Sequence, residues 1–352
     1  MTIMASGLIT FGVSLVASFL FVMPVRALAL RIGMVDLPGP RKVHLTPIPL
    51  LGGLAIYAAF LLAILLTLDG AARAQIIGIL AGATLVAVVG FLDDRGLLHH
   101  QIKLFGAMPG AGVILLATGI RAEMFQSFVG GRAGVVLDGV LTVFWVVGVT
   151  AAFSILDHMD GLCAGVAGVA ALFFAILAGF AGQLLVSILA AAVLGSTIGF
   201  LRWNFKPAKI FMGDGGAMFL GFLMATLGLK LRITGAPPVS AWLVPVLLLG
   251  VPIFDTTLVS ISRIRHGLLP FTSPGKDHTA HRLANLGLGQ RNAVLAVYAL
   301  GVFFGVLGIF ASRMSSRADG VLAAAVGAAS LCGVAWLERA PFESQPPKKF
   351  TV

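Results

Sequence analysis

The chain has 352 residues, of which 59% are hydrophobic and only 11% charged, and its mean hydropathy is +1.03. A soluble domain carries about 25% charged residues, so this composition excludes an ordinary soluble protein and points to a polytopic helical membrane protein. The net charge of +10 does not require nucleic acid, because basic residues of membrane proteins collect in cytoplasmic loops and meet the anionic headgroups of membrane lipids.

Two cysteines, Cys163 and Cys332, sit in apolar stretches, which argues against a disulfide or a cysteine metal site. The first apolar run, Ile9–Val22, lacks a basic segment before it and a small-residue cleavage site after it. It is read as a retained first span. A spanning helix needs about 20 mostly apolar residues. In chain order the expected spans are Ala5–Met23, Leu50–Leu68, Gln75–Leu92, Leu104–Ile120, Gly139–Phe153, Leu162–Ala181, Leu184–Leu201, Met218–Leu231, Ala241–Ser260, Ala293–Ser312 and Gly320–Trp336. The expected fold is therefore all-α, with about eleven transmembrane helices in one membrane domain over 1–337 and a short, disordered cytoplasmic tail over 338–352. No internal repeat is visible.

Most of the 24 Lys and Arg fall in the loops after spans one, three, seven and nine and in the tail. The positive-inside rule puts those loops in the cytoplasm, the N-terminus outside and the C-terminus inside, as in a bacterial inner membrane. All seven histidines (His44, His99, His100, His158, His266, His278 and His281) lie on the same side. So do Asp36, Asp93, Asp94, Asp157, Asp160, Asp214 and Asp277, with Asp255 near the inner end of span nine. Charge bias explains Lys and Arg. It does not explain the histidines and aspartates, which indicate a cytoplasmic-face active-site cleft.

Each inner loop carries its own chemistry. In the first, Arg41, Lys42 and His44 stand among prolines and glycines that prevent a helix, and suit phosphates or anionic lipid. In the second, Asp93 and Asp94 repel each other unless a cation is near, and Lys103 opens the next span; a hard cation such as Mg²⁺ is bound by one or two carboxylates plus substrate phosphates. The third loop, Ser154–Gly161, packs Asp157, His158 and Asp160 between long apolar runs. On a helix, Asp157 and Asp160 would share a face and His158 would point elsewhere. The fourth places Asp214 among glycines that permit close approach to a ligand, with Lys206 and Lys209 for phosphate and Phe211 for stacking on a base or for interface packing. It lacks the Gly-Lys-Ser/Thr ending of a Walker A loop. In the fifth, His278 and His281 are three apart, a metal-ligand spacing, but no Glu or Cys completes a zinc set, which favours hydrogen bonding to a sugar or phosphate.

Taken in order, these pieces resemble the polyprenyl-phosphate N-acetylhexosamine-1-phosphate transferases. The matching stretches are Arg41-Lys-Val-His44 with Pro-x-Pro-x-x-Gly-Gly, Gly90-Phe-Leu-Asp-Asp-Arg95, Asp157-His-Met-Asp-Gly161, Asn204-Phe-Lys-Pro-Ala-Lys-Ile-Phe-Met-Gly-Asp214, Pro252-Ile-Phe-Asp255 and Asp277-His-Thr-Ala-His-Arg-Leu283. The first and last look more like the branch that uses UDP-N-acetylglucosamine or a related N-acetylhexosamine than the muramoyl-pentapeptide branch, whose three-histidine run is missing. The resemblance implies transfer of a sugar-1-phosphate from a UDP-N-acetylhexosamine to a polyprenyl phosphate, with release of UMP and with Mg²⁺ or Mn²⁺ as cofactor, as the first membrane step of a cell-envelope glycan. It implies Asp214 as leading metal ligand, and Asp93 and Asp94 orienting or deprotonating the lipid phosphate or adding to the metal site. Asp157, Asp160, Asn204 and Phe211 match positions that hold the nucleotide. His278, His281 and Arg282 would read the sugar and its phosphate. A homodimer is one arrangement such a chain could take.

The sequence departs from the family where Asn-x-x-Asn usually precedes Asp157. Here the positions are Ala151 and Ser154. Ala217 stands where Ser is usual, and His158 where Asn is often found. Ser154 offers a hydroxyl to the metal, a shorter and weaker ligand than an amide carbonyl. These departures support a second reading, a relative that binds lipid carrier or nucleotide without transfer. A third, a secondary transporter, fits less well, because transporters place ionisable residues near the midplane and show inverted repeats.

Overall fold

A computed structural model describes residues 3–37, 46–68, 73–98, 100–233, 238–269, 275–314 and 316–340. Arg41, Lys42, His44 and most of the tail lie outside the described residues. The described chain is a bundle of helices: α1 (Ile3–Arg31), α2 (Gly52–Thr67), α3 (Arg73–Asp94), the single turn α4 (His100–Ile102), α5 (Met108–Ala117), α6 (Gly131–Leu156), α7 (Leu162–Phe180), α8 (Leu184–Asn204), α9 (Gly213–Lys230), α10 (Pro238–Leu248), α11 (Gly250–Arg265), the short α12 (Thr279–Leu283), α13 (Gly289–Ala311) and α14 (Ser316–Leu337). Wide π-helical turns join α4 to α5 over Lys103–Ala107 and α12 to α13 over Ala284–Leu288. A two-residue antiparallel ladder, β1 (Val35–Asp36) with β2 (Ile48–Pro49), closes the first loop.

Among the described residues, seven helices are long and apolar enough to cross a membrane, and up to eight if the bent α10–α11 pair is one span. Gly52–Thr67 and Lys103–Ala117 are shorter apolar helices. Every span expected from the sequence falls on a helix. The ninth needs correction. Instead of one helix over 241–260, the chain bends by 74° between Leu248 and Gly250. Pro245 and Pro252 flank the bend, and neither ring nitrogen can donate to a carbonyl one turn back, which removes two of the bonds that would hold a continuous helix there.

The centre of the bundle is α9, which is buried on all sides from Gly215 to Leu229, as an apolar helix without a polar face must be. It packs against α3, α6, α2, α7 and α8. Two glycine contacts set its depth. A Cβ on Gly90 of α3 would lie 2.6 Å from Gly215 Cα, and one on Gly53 of α2 would lie 2.3 Å from Gly216 Cα. Only backbone-to-backbone contact fits, as is common between membrane helices. These contacts bring the C-terminus of α3, with its aspartates, against the N-terminus of α9, with Asp214.

Candidate active site

The α3–α9 contact creates the polar centre. Asp94 Oδ1 accepts from Asp214 N at 2.8 Å and its Oδ2 from Gly215 N at 3.2 Å. A carboxylate from one helix thus caps the N-terminus of another, where free N–H groups and the helix dipole favour negative charge. Lys103, first residue of the π-helical turn, lies 2.6 Å from both Asp93 Oδ2 and Asp214 Oδ2. Ser154, in the last turn of α6, donates to the other oxygen, Asp214 Oδ1, at 3.0 Å. Three chain segments therefore converge on Asp214 at the start of α9.

The α6–α7 connection is a turn, so the helical arrangement considered for Asp157 and Asp160 does not occur. Helix α6 ends at Leu156, and Gly161, at φ 77°, starts α7. Asp157 is half-buried and receives the Gly213 N–H; desolvation raises its carboxyl well above the usual range, and the charges of Asp214, Asp94 and Asp160 push the same way. Asp160 Oδ2 accepts from Ala208 N at 3.1 Å. Asn204 is buried with both ends of its amide engaged: Oδ1 accepts from Gly161 N at 3.0 Å, and Nδ2 donates to Ile210 O at 2.9 Å. Its visible work is to hold the third and fourth loops together. Tyr298 Oη donates to Gly161 O at 2.5 Å and pins the same turn from α13.

These loops enclose a cleft of about 610 Å³, lined by Asp94, Asp157, His158, Asp160, Asn204, Lys206, Phe211, Asp214, Lys276 and His281 among others. The expected inner loops thus meet in one place. Phe211 is held by backbone bonds to the β2 end: its N–H donates to Pro49 O and its carbonyl accepts from Gly52 N, both at 2.8 Å.

The fifth loop divides into a wall and a foundation. His281 reaches the cleft. His278 is buried, with Nδ1 2.8 Å from Asp255 Oδ2, while Asp255 Oδ1 accepts from Thr279 N at 2.7 Å. Arg282, expected to face the sugar phosphate, is instead fully enclosed. It donates to Asp277 O (2.8 Å), Leu337 O (2.9 Å), Ser262 Oγ (2.6 Å) and Glu338 Oε1 (3.2 Å). Arg263 holds the Asp277 carboxylate with two bonds of 2.8 and 3.0 Å. Sequence reasoning missed this foundation, although the Arg263, Asp277 and Arg282 charges in one short loop were a signal of it.

The role of His158 was also missed. Its ring stacks on His278, with centroids 4.0 Å apart, and on His281 at 4.5 Å. Both its nitrogens are buried without a hydrogen-bond partner. Burial, reinforced by the neighbouring histidines, holds its pKa well below the usual imidazole value, so the ring is neutral. Donor atoms of His158, Asp255 and His278 lie within 4.8 Å of one another. They do not read as a metal site, because Asp255 and His278 bond each other and the lone pairs of stacked rings lie in their own planes instead of converging. Asp93, Asp214 and Ser154 form the better donor set. The Lys103 ammonium shows that two carboxylate oxygens converge on one cation position, and all-oxygen donors suit Mg²⁺ or Mn²⁺.

Residues 76–232 match the model of glycosyl transferase family 4. The chain is 36% identical over 306 residues to a probable undecaprenyl-phosphate N-acetylglucosaminyl 1-phosphate transferase of Bacillus subtilis strain 168, covering 86% of this chain and 84% of that protein. The chain belongs to glycosyl transferase family 4. Other relatives are similar along most of their length. A decaprenyl-phosphate N-acetylglucosaminephosphotransferase of Mycolicibacterium smegmatis is 32% identical over 357 residues, covering 92% of this chain and 87% of the relative. An undecaprenyl-phosphate alpha-N-acetylglucosaminyl 1-phosphate transferase of Yersinia pestis is 28% identical over 332 residues, covering 90% and 88%.

Proposed function

We propose that this family 4 protein transfers N-acetylglucosamine-1-phosphate from UDP-N-acetylglucosamine to a polyprenyl phosphate. The products are the polyprenyl-diphosphate sugar and UMP. The observation that carries the reading is the cluster of Asp93, Lys103, Ser154 and Asp214 at the edge of a cleft of nucleotide-sugar size.

An oxygen of the lipid phosphate attacks the phosphorus that bears the sugar. The bond from that phosphorus to the bridging oxygen breaks, and UMP leaves with the oxygen. Both reactants are polyanions, so charge repulsion is the main obstacle. Asp214 and Asp93, with the Ser154 hydroxyl beside them, would hold a Mg²⁺ or Mn²⁺ ion, which when bound would supply neutralising charge to the diphosphate. Lys103 supplies positive charge for the substrate phosphates beside that position, and Lys206 and Lys276 line the approach. The second pKa of a phosphate monoester is about 6, so the acceptor is already largely dianionic at pH 7 and needs no strong base. Asp94 acts chiefly by fixing the N-terminus of α9, and so the position of Asp214. Asp157, Asp160 and Phe211 form the nucleotide side of the cleft, with His281 toward the sugar. Eleven membrane crossings, with the cleft and C-terminus facing the cytoplasm, complete this reading.

The test is UMP release and formation of a sugar-linked lipid by purified protein given UDP-N-acetylglucosamine, polyprenyl phosphate and Mg²⁺. Asp214→Asn and a chelator are each expected to abolish both products. Product formation indifferent to both would remove Asp214 and the metal from the mechanism.

A further inference from the structure

The ion pairs of Lys103 raise a question of competition. Its ammonium bonds Asp93 Oδ2 and Asp214 Oδ2 at 2.6 Å each, and the lysine side chain is only 14% exposed. These are the oxygens that the proposed divalent ion requires. An ammonium and a divalent ion cannot both hold them closely, since two cations would then share the same small space inside a poorly solvated site. Lysine is suited to yielding. Its charge is compact and its four-carbon stem is flexible, unlike the planar fork of arginine. Its backbone also stands in a π-helical turn, a geometry found mostly as single turns and frequently at functional sites, and that turn leads straight into the apolar α5.

We propose that Lys103 is an exchangeable cation: its ammonium competes with the divalent ion for Asp93 and Asp214, and moves to the substrate phosphates when that ion binds. The inference rests on the proposed function, because it takes Asp214 as the metal ligand. It explains how three neighbouring carboxylates, Asp93, Asp94 and Asp214, are kept together without the ion. It also gives an order of events. When the divalent ion binds, the carboxylates would pass from ammonium to metal, and the freed ammonium would take an oxygen of the substrate phosphates. No cation leaves the site and no carboxylate is left unpaired.

The experiment measures Mn²⁺ affinity of the purified full-length protein from the free-Mn²⁺ electron paramagnetic resonance signal. Lys103→Met and Lys103→Gln are each expected to bind Mn²⁺ on the order of tenfold tighter than the wild type, even as transfer falls. In parallel, acetylation of Lys103 in the wild-type protein by acetic anhydride, read by mass spectrometry, is expected to rise several-fold when Mn²⁺ is added. This second arm needs no variant to fold. Unchanged or weaker Mn²⁺ binding in the variants, or labelling indifferent to Mn²⁺, would overturn the exchange while leaving the metal site intact. Wild-type Mn²⁺ binding that survives Asp214→Asn would instead overturn the metal assignment itself, and the exchange with it.

Discussion

Arg282→Met separates two roles for the arginine that the sequence assigned to the sugar phosphate. In the structure the guanidinium is 1% exposed and donates to Asp277 O, Leu337 O, Ser262 Oγ and Glu338. Methionine fills much of the volume and donates nothing. Three neutral acceptors lose their partner, at about 1 kcal/mol each. Glu338 retains only Arg265, at 2.7 Å, and loses a charged bond worth roughly 1–2 kcal/mol more. The expected destabilisation is therefore about 4–5 kcal/mol, concentrated where the end of α14 meets the loop carrying His278 and His281. Thermal unfolding in detergent should fall clearly. Limited proteolysis should cut the 275–290 segment faster. Arg282→Lys should recover only a minor part, since one ammonium cannot span four acceptors on different elements. Unchanged melting together with a raised KM for the UDP-sugar would refute this reasoning and return Arg282 to the substrate.

Other substitutions test other parts of the account. Gly90→Ala would put a Cβ 2.6 Å from Gly215 Cα; the forced separation should cost roughly 1–3 kcal/mol and lower transfer more than melting temperature, because Asp93 and Asp94 leave Asp214. Equal activity would show that the α3–α9 contact does not set the site. Ser154→Asn supplies an amide oxygen next to Asp214 and should lower the Mn²⁺ concentration needed for half-maximal activity by roughly threefold; a higher requirement would count against Ser154 as a metal-side residue. Asp157 has its folded-state pKa raised above the unfolded value of about 3.9. The stability its protonated form contributes is complete below that value and is lost as pH rises through the folded pKa. Asp157→Asn in chelator should therefore melt higher than the wild type at pH 7 and at the same temperature near pH 4. A lower melting temperature at pH 7 would contradict the burial argument.

The positions of the helices were legible because apolar runs of spanning length have few alternatives in lipid. The grouping of the site was legible too: Asp94, Asp157, Asp214 and His281, expected in alternate loops, now meet around one cleft, with Asp93 joined to it through Lys103. What the sequence hid depends on contacts between distant segments. Asp94 looked like half of a metal-binding pair, but its two oxygens cap α9, which only the close approach of Gly90 to Gly215 makes available. Asn204 and Arg282 carry the right chemistry for nucleotide and phosphate, yet both are turned inward to tie loops together. The bend at Leu248–Gly250 was written in Pro245 and Pro252, and was masked by the unbroken apolar character of the stretch. His158, one residue from the recognised aspartate, joins histidines more than a hundred positions away.

The central claim is that phosphate travels with the sugar. The direct measurement uses UDP-N-acetylglucosamine labelled in the phosphate next to the sugar, with polyprenyl phosphate and Mg²⁺, and follows the label. The account predicts that the label enters the lipid product together with N-acetylglucosamine and that unlabelled UMP is released. Label retained in released UDP, with the sugar alone on the lipid, would contradict it.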